Sequence, residues 1–532
     1  MHWWRKAAPP MVRWRRCGCV RRRVSLSLCN GIPSGNIGKT RYRRSCSGLL
    51  ETRFAKQRPG TRKRKEWCPM AMGSEENETK ETVNNEEDLI KWLRDRRITE
   101  VECMVSDMAG IARGKIIPTR KFIAGLSDRS LKLPESIFGQ TVTGDYVDSD
   151  FLGDIEPDII LDPDPTTVRV VPWYDEPTAQ IICDANYRDG KPVPIAPRNV
   201  LKRVLALFEE KGWAPVVAPE IEFYLAAKNI DPDYPLEPPV GANGRQETAR
   251  QSYGIDAVNE FDPIFEDMYD FCEAQDLDID TLIHESGAAQ VEINFDHGAP
   301  LDIADQAFLF KRTMRQAALR HGIYATFMAK PYEGEPGSAM HIHQSIVSSG
   351  TGDNLFATKQ GKDTKLFLSY IAGLQKYLPD AMALIAPNVN SYRRIVRDHA
   401  APINTHWGHE NRTVGLRVPE AKRQGRRIEN RVPGADANPY LAIATSLACG
   451  YIGMVNDLKP TKEMTGNAYD SKRYALPRHL LDALGNLRTA TELKEVLGAD
   501  FVTLYMDVKL TEHEAYQQVI SAWEREHLLL NV

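Results

Sequence analysis

Two glutamates stand two residues apart in Pro219-Glu-Ile-Glu-Phe223, between the apolar run Val216-Val217-Ala218 and Tyr224-Leu225. The pattern is that of a strand, and its period of two sends Glu220 and Glu222 to one face. Adjacent carboxylates with apolar flanks repel each other and resist desolvation, and a hard divalent cation relieves both. A solvated strand face with two acids is the plainer reading of this stretch taken alone. Four further stretches carry polar residues that a core would not want. His284-Glu-Ser-Gly-Ala-Ala-Gln-Val-Glu292 puts Glu285 at a turn and Glu292 on a strand. Ala339-Met-His-Ile-His-Gln-Ser345 puts His341 and His343 on one strand face, although either histidine alone is more often a satisfied core residue. Gly425-Arg-Arg-Ile-Glu-Asn-Arg431 alternates Arg427, Glu429 and Arg431, and Arg393, Arg394, Arg412 and Arg417 fall within 25 residues of one another. Five carboxylates with one or two imidazoles suit Mg2+ or Mn2+ rather than a structural zinc. Arginines beside such ions suit phosphoryl transfer, where clamping and charge neutralisation carry most of the catalysis.

The elements that must position these residues can be read along the chain. Glu87 to Arg96 reads as a helix, followed by the alternating strand Glu100 to Asp107, a Gly-containing turn and Lys115-Ile-Ile117, a hairpin pattern. Short strands follow at Ile159 to Leu161, Val168 to Val171 and Ala179 to Cys183, which makes a small α+β domain ending at the Pro-rich stretch 192–197. A helix starts at Pro197 and stops at Gly212. Residues 228–251 are rich in Pro, Gly and Asn and read as a surface excursion, and Ile303 to Arg320 reads as an amphipathic helix.

With 532 residues the chain has room for two or more domains and a large core. Its formal charge of −4 hides a division. Residues 1–70 hold 19 Lys and Arg against Glu51 and Glu66, whereas the remainder holds 49 basic and 70 acidic residues. The acidic body argues against nucleic acid as a partner. Five of the nine cysteines lie in the basic stretch, and the other four show neither metal-knuckle spacing nor a disulfide framework, as expected of a reducing, cytoplasmic setting. The longest apolar run, Leu441 to Val455, is too short and mild for a membrane span and reads as a buried helix. Residues 1–75 have no apolar period and read as a disordered basic extension. They are either a targeting segment or upstream sequence ahead of a start at Met70 or Met72.

From about residue 86 to 532 the chain resembles the bacterial glutamine synthetase family. Pro219-Glu-Ile-Glu-Phe223, His284-Glu285 with Gln290-Val-Glu292, Met340-His-Ile-His343, Asn411-Arg412 with Arg417-Val-Pro419, Arg426-Arg-Ile-Glu-Asn-Arg431 and Ala437-Asn-Pro-Tyr-Leu441 occur in the family's order. The resemblance implies an α+β protein with a small β-grasp domain (86–190) and an antiparallel α+β catalytic barrel (191–532). It also implies a homo-oligomer of stacked rings, a dodecamer, with active sites between neighbouring subunits. By position, Glu222, Glu285 and Glu292 are expected to hold one metal, and Glu220, His341 and Glu429 a second. Arg412, Arg417 and Arg427 match phosphate or nucleotide contacts, of which Arg412 and Arg417 are expected to be catalytic. His343 and Ser345 match nucleotide contacts, and Arg394, Arg431 and Gly337 match the glutamate site. The implied reaction uses ATP to phosphorylate the glutamate side chain, after which an amine displaces phosphate.

One region departs from the ammonia-using pattern. The flap reads Arg394-Ile-Val-Arg-Asp-His-Ala-Ala-Pro402, with Ala400 where the family carries the carboxylate that binds and deprotonates ammonium. The Phe-Asp-Gly-Ser-Ser loop of the ammonium pocket is replaced around Phe138 to Val142, and the Asn-Gly ahead of the metal histidine is Pro336-Gly337. This combination resembles the γ-glutamylpolyamine (γ-glutamylputrescine) synthetase branch. His399, Ala400 and Trp407 are then candidates for the amine pocket, with Asp398 or His399 as the substitute base. Ammonia, or a short amine such as methylamine or ethanolamine, is the alternative. A structural assembly that has lost catalysis is the reading from another class, and retention of every metal ligand speaks against it.

Overall fold

The computed structural model describes residues 83–149, 151–152, 156–248, 250–397 and 401–532. The basic extension, Met70, Met72 and the flap residues Asp398, His399 and Ala400 lie outside the described residues.

The first part of the chain builds a six-stranded sheet from β1 (Glu100–Ser106), β2 (Ala112–Pro118), β3 (Lys132–Pro134), β4 (Asp158–Pro163), β5 (Arg169–Val170) and β6 (Thr178–Asn186). The hairpin read from the sequence is present, with Glu100 opposite Pro118 and Ser106 opposite Ala112. The pairing of β1 with β6 is parallel, and the long connection between them carries the rest of the sheet. The preceding helix, Glu86–Asp95, begins where Asn85 accepts from the Asp88 N–H and buries Leu89, Trp92 and Leu93.

A second sheet has eight strands, centred on β7 (Trp213–Ala226). β7 pairs with β9 (Gln290–Phe295) on one side and with β11 (Met340–Ser348) on the other. Beyond β9 lies β8 (Ile279–His284), and β10 (Tyr324–Thr326) pairs with the end of β7. Beyond β11 come β14 (Ile428–Asn430), β13 (Leu416–Val418) and β12 (Trp407–His409). These pairings are antiparallel except that of β12 with β13, which is parallel, a local departure from the expected all-antiparallel arrangement. Alternation on β7 decides the rest. Val217, Ile221, Phe223 and Leu225 are 0–1 % exposed and face the core, which leaves Glu220 and Glu222 for the other face.

Three long helices, Pro300–Arg320, Lys365–Ile385 and Pro439–Val455, contribute large buried faces to the core. The last is the buried helix expected from the apolar run, and every residue from Pro439 to Met454 is buried. No helix among the described residues is long and apolar enough to cross a membrane. It packs on Lys365–Ile385 through glycine, since a Cβ on Gly373 would stand 2.2 Å from the Cys449 carbonyl oxygen. Cys103, Cys183, Cys272 and Cys449 are free and buried. In the excursion after β7, Ile230, Tyr234 and Val240 are exposed, as the composition of that stretch suggests.

Candidate active site

The polar residues meet because four strands carry them in register. Glu222 lies opposite Glu292 on β9, Glu220 opposite His341 on β11, and His343 opposite Glu429 on β14. Glu285 stands at the turn after β8, where its N–H donates to the Gln290 carbonyl oxygen at 2.8 Å. All five carboxylates line one cavity of about 270 Å3, together with His341, Gly337, Arg394, Arg412, Arg417 and Arg431.

The donor sets suit a hard divalent cation. Glu222, Glu285 and Glu292 offer oxygens within 4.8 Å of one another, the set expected for one metal. Glu220 belongs to two further sets, one with Glu292 and His341 and one with His343 and Glu429. The expected second set is split between these two groups, which share Glu220, although His341 Nδ1 stands 3.3 Å from Glu220 and 3.8 Å from Glu429. Oxygen-rich donors with one imidazole match Mg2+ or Mn2+.

Packing so many acids in a buried site shifts their protonation. Burial, reinforced by the charges of Glu222 and Glu220, pushes the Glu292 carboxyl up to about 10. Burial and the neighbouring Glu285 push Glu222 up to about 7, and burial also raises Glu285. Glu429 responds oppositely: burial would raise it, but the charges of Arg431, His341 and His343 together outweigh burial and hold it at about 2. At Glu220 burial is likewise outweighed, by hydrogen bonds from His341 and His343, and the carboxyl lies well below its ordinary range. Burial and the Arg431 charge push the His341 imidazole down, toward the neutral form that ligates.

The arginines are held by specific partners. Arg417 Nη1 donates to Glu429 Oε2 at 2.7 Å, and Arg431 Nη1 donates to the other oxygen at 2.5 Å. Arg394 is buried, and its guanidinium donates to the carbonyl oxygens of Val432 and Arg431 at 2.8 and 2.9 Å. Gly337 packs directly on it, and a Cβ there would stand 2.5 Å from Arg394 Cγ and 2.6 Å from the Ala329 carbonyl oxygen. Arg427 Nε donates to His343 Nδ1 at 3.0 Å, so the His343 Nε2–H donates to Glu220 at 2.8 Å.

Not every candidate reaches the cavity. His343, Ser345 and Arg427 are not among its lining residues, although His343 and Arg427 join it through Glu220. Trp407, the candidate wall of an amine pocket, is buried elsewhere on β12 and donates its indole N–H to the Thr461 carbonyl oxygen. Tyr253, Ser286, Gln290 and Asn294 line the cavity without having been singled out. Gln290 and Asn294 share the alternation of Glu292, which could have revealed them. Tyr253 comes from the turn just after the irregular excursion, where no periodicity exists to reveal it. Glu247, from the same excursion, accepts from His284 Nε2 at 3.1 Å and from the Ala289 N–H at 2.6 Å, and so braces the turn that presents Glu285.

Comparison with known proteins agrees with this geometry. Residues 194–528 match the family described as glutamine synthetase, catalytic domain. The γ-glutamylputrescine synthetase PuuA of Escherichia coli (strain K12) is 36 % identical over 442 residues, 81 % of this chain and 92 % of the relative. A glutamate–isopropylamine ligase of a Pseudomonas species is 32 % identical over 446 residues, 81 % of this chain and 95 % of the relative. Among solved structures, GmaS without ligand superposes with a TM-score of 0.69 at 27 % identity, over 83 % of this chain and 99 % of that one. The chain belongs to the glutamine synthetase family. Within it, the protein is of the ATP-dependent glutamate–amine ligase class.

Proposed function

We propose that this protein joins glutamate to putrescine or another polyamine through a γ-glutamyl amide. The observation that carries the reading is that Glu220, Glu222, Glu285, Glu292, His341 and Glu429 share one cavity with Arg394, Arg412, Arg417 and Arg431, while the sequence has Ala400 in place of the flap carboxylate that serves ammonium. The likeness to a γ-glutamylputrescine synthetase supports the choice of amine.

In this reading Arg412, Arg417 and Arg427 clamp the phosphates of ATP, with His343 and Ser345 on the nucleotide. Arg394, Arg431 and Gly337 hold glutamate. The metals, Mg2+ or Mn2+, held by Glu222, Glu285 and Glu292 and by Glu220, His341 and Glu429, would neutralise phosphate charge and polarise the transferring group. The arginines orient the γ-phosphoryl group for attack by the glutamate side-chain carboxylate, giving γ-glutamyl phosphate and ADP. The neutral amine then attacks that acyl carbon and phosphate leaves, the amine's proton passing to Asp398 or His399. The distal ammonium of a diamine would be met by acids such as Asp145 or Asp148 of a neighbouring subunit. The reading includes a β-grasp domain over 86–190, a catalytic barrel over 191–532, a ring-stacked dodecamer and a cytoplasmic location.

The test is ATP-dependent phosphate release with glutamate and a panel of ammonia, methylamine, ethanolamine, putrescine and spermidine. We expect a higher kcat/KM with putrescine or spermidine than with ammonia. A positioned carboxylate base contributes about 10²–10⁴-fold, so Ala400→Glu is expected to shift the ratio toward ammonia. Preference for ammonia by the unmodified protein, with no turnover on polyamines above background, would return it to glutamine synthesis.

A further inference from the structure

Asn294 lies on β9 two residues beyond Glu292 and lines the same cavity. Register places it opposite Glu220, which in turn lies opposite His341. Asn294, Glu220 and His341 therefore form one rung across three strands, and two of them belong to a single candidate donor set with Glu292. The Asn294 Oδ1 atom is buried and accepts no hydrogen bond. Gln290, two steps back in the same alternation, is different: its carboxamide accepts from the Gly287 N–H at 3.0 Å and donates to the Gly337 carbonyl oxygen at 3.1 Å. A buried acceptor left without a donor is costly, and the groups across the rung are mainly acceptors themselves. A cation satisfies such an oxygen where another acceptor cannot.

We propose that Asn294 Oδ1 is a neutral oxygen ligand of the second divalent cation, the one read above as held by Glu220, His341 and Glu429, with Glu292 at its edge. Amide oxygens are ordinary ligands for hard cations. Here a neutral donor fills a coordination position without adding charge to a site that already concentrates five carboxylates. The inference rests on the metal reading of the site given above, and adds a ligand that acidic and imidazole patterns do not reveal.

The test is Mn2+ titration followed by electron paramagnetic resonance on the full-length protein without nucleotide, comparing the unmodified chain with Asn294→Leu and Asn294→Asp. Leucine keeps the volume and removes the oxygen, and is expected to weaken one class of Mn2+ site by about 10–100-fold, as loss of a supporting metal contact does. Aspartate keeps an oxygen at the same place and is expected to hold or tighten that site. If Asn294 instead donated its amide hydrogens to Glu220 or Glu292, aspartate would add repulsion and weaken binding as much as leucine does, which overturns the proposal. Unchanged binding in Asn294→Leu overturns it too. Should the leucine variant not fold, Asn294→Ser against Asn294→Asp gives the same comparison. A wild-type protein that binds no Mn2+ would sink the metal reading itself and the proposal with it, whereas normal wild-type binding with an unaffected leucine variant sinks only the proposal.

Discussion

Arg417 and Glu429 face each other across neighbouring strands, with Nη1 to Oε2 at 2.7 Å. Arg431 takes the other oxygen, so one buried carboxylate anchors two arginines of the site while also lying within reach of Glu220 and His343. Glu429→Gln keeps the shape and removes the charge that both arginines and a cation need. Losing such a stabilising group costs about 10²–10³-fold in rate. We expect phosphate release to fall by at least that factor while the elution volume of the protein stays unchanged. Near-normal turnover in this variant would show that Glu429 has no part in holding a cation.

The raised carboxyls give a pH prediction. Glu292 is pushed from its ordinary value near 4.5 up to about 10, and Glu222 to about 7. Between those limits the folded state binds more protons than the unfolded one, so their contribution to stability falls as pH rises. Lys311, buried and donating to the carbonyl oxygens of Ala435 and Ala437, is pushed down to about 7 and acts in the opposite direction between there and its ordinary value. The discriminating quantity is therefore the shift caused by Mg2+, which displaces protons from the acids and does not concern Lys311. We expect the Mg2+-induced rise in Tm to be larger at pH 9 than at pH 6. An equal rise at both values would mean that the acids are already ionised without the cation.

Gly337 tests the glutamate site. The contacts a Cβ would make, with Arg394 Cγ and the Ala329 carbonyl oxygen, are too close to be relieved without moving Arg394 or the backbone. Gly337→Ala is expected to raise the KM for glutamate at least about 10-fold, since small misplacements at a substrate clamp are expensive. The KM for ATP should change much less. Equal effects on both substrates would argue that the loop does not serve glutamate.

A period of two made the core of the site legible before any coordinates. Glu220 with Glu222, His341 with His343, and Glu429 between Arg427 and Arg431 each declare a polar face inside an apolar strand. What stayed hidden has physical reasons. The helix Lys365–Ile385 is buried nearly all round, so it shows no polar stripe, and Pro379 within it reads as a breaker. Tyr253 reaches the cavity from the turn after the irregular excursion, and Glu247 braces the site from within that excursion. Trp407 reads as a wall because an aromatic residue near a flap invites that role, yet its indole N–H is committed to Thr461. The parallel pairing of β1 with β6 depends on contacts between strands distant in sequence, which local patterns do not encode.

Asn438 immediately precedes the buried helix Pro439–Val455 and does two jobs. Its Oδ1 accepts from the Tyr440 N–H at 3.0 Å and caps the buried helix Pro439–Val455. Its Nδ2 donates to Ser106 Oγ at 3.1 Å and to the Asp107 carbonyl oxygen at 2.8 Å, tying that cap to the end of β1 in the first sheet. Serine can still cap but cannot reach the hairpin, whereas alanine can do neither. A cap contributes about 0.5–2 kcal/mol, and each buried hydrogen bond a net 0.5–1.5 kcal/mol. Asn438→Ser is expected to be less stable than the unmodified protein by about 1–3 kcal/mol for the two lost bonds. Asn438→Ala should lose about a further 1 kcal/mol with the cap. Denaturant unfolding of the three proteins, or the half-life of activity at elevated temperature if refolding fails, measures the two steps separately. If serine and alanine prove equally destabilising, the helix cap contributes nothing and Asn438 serves only to link β1 to the helix; if serine is as stable as asparagine, the link is the part that contributes nothing.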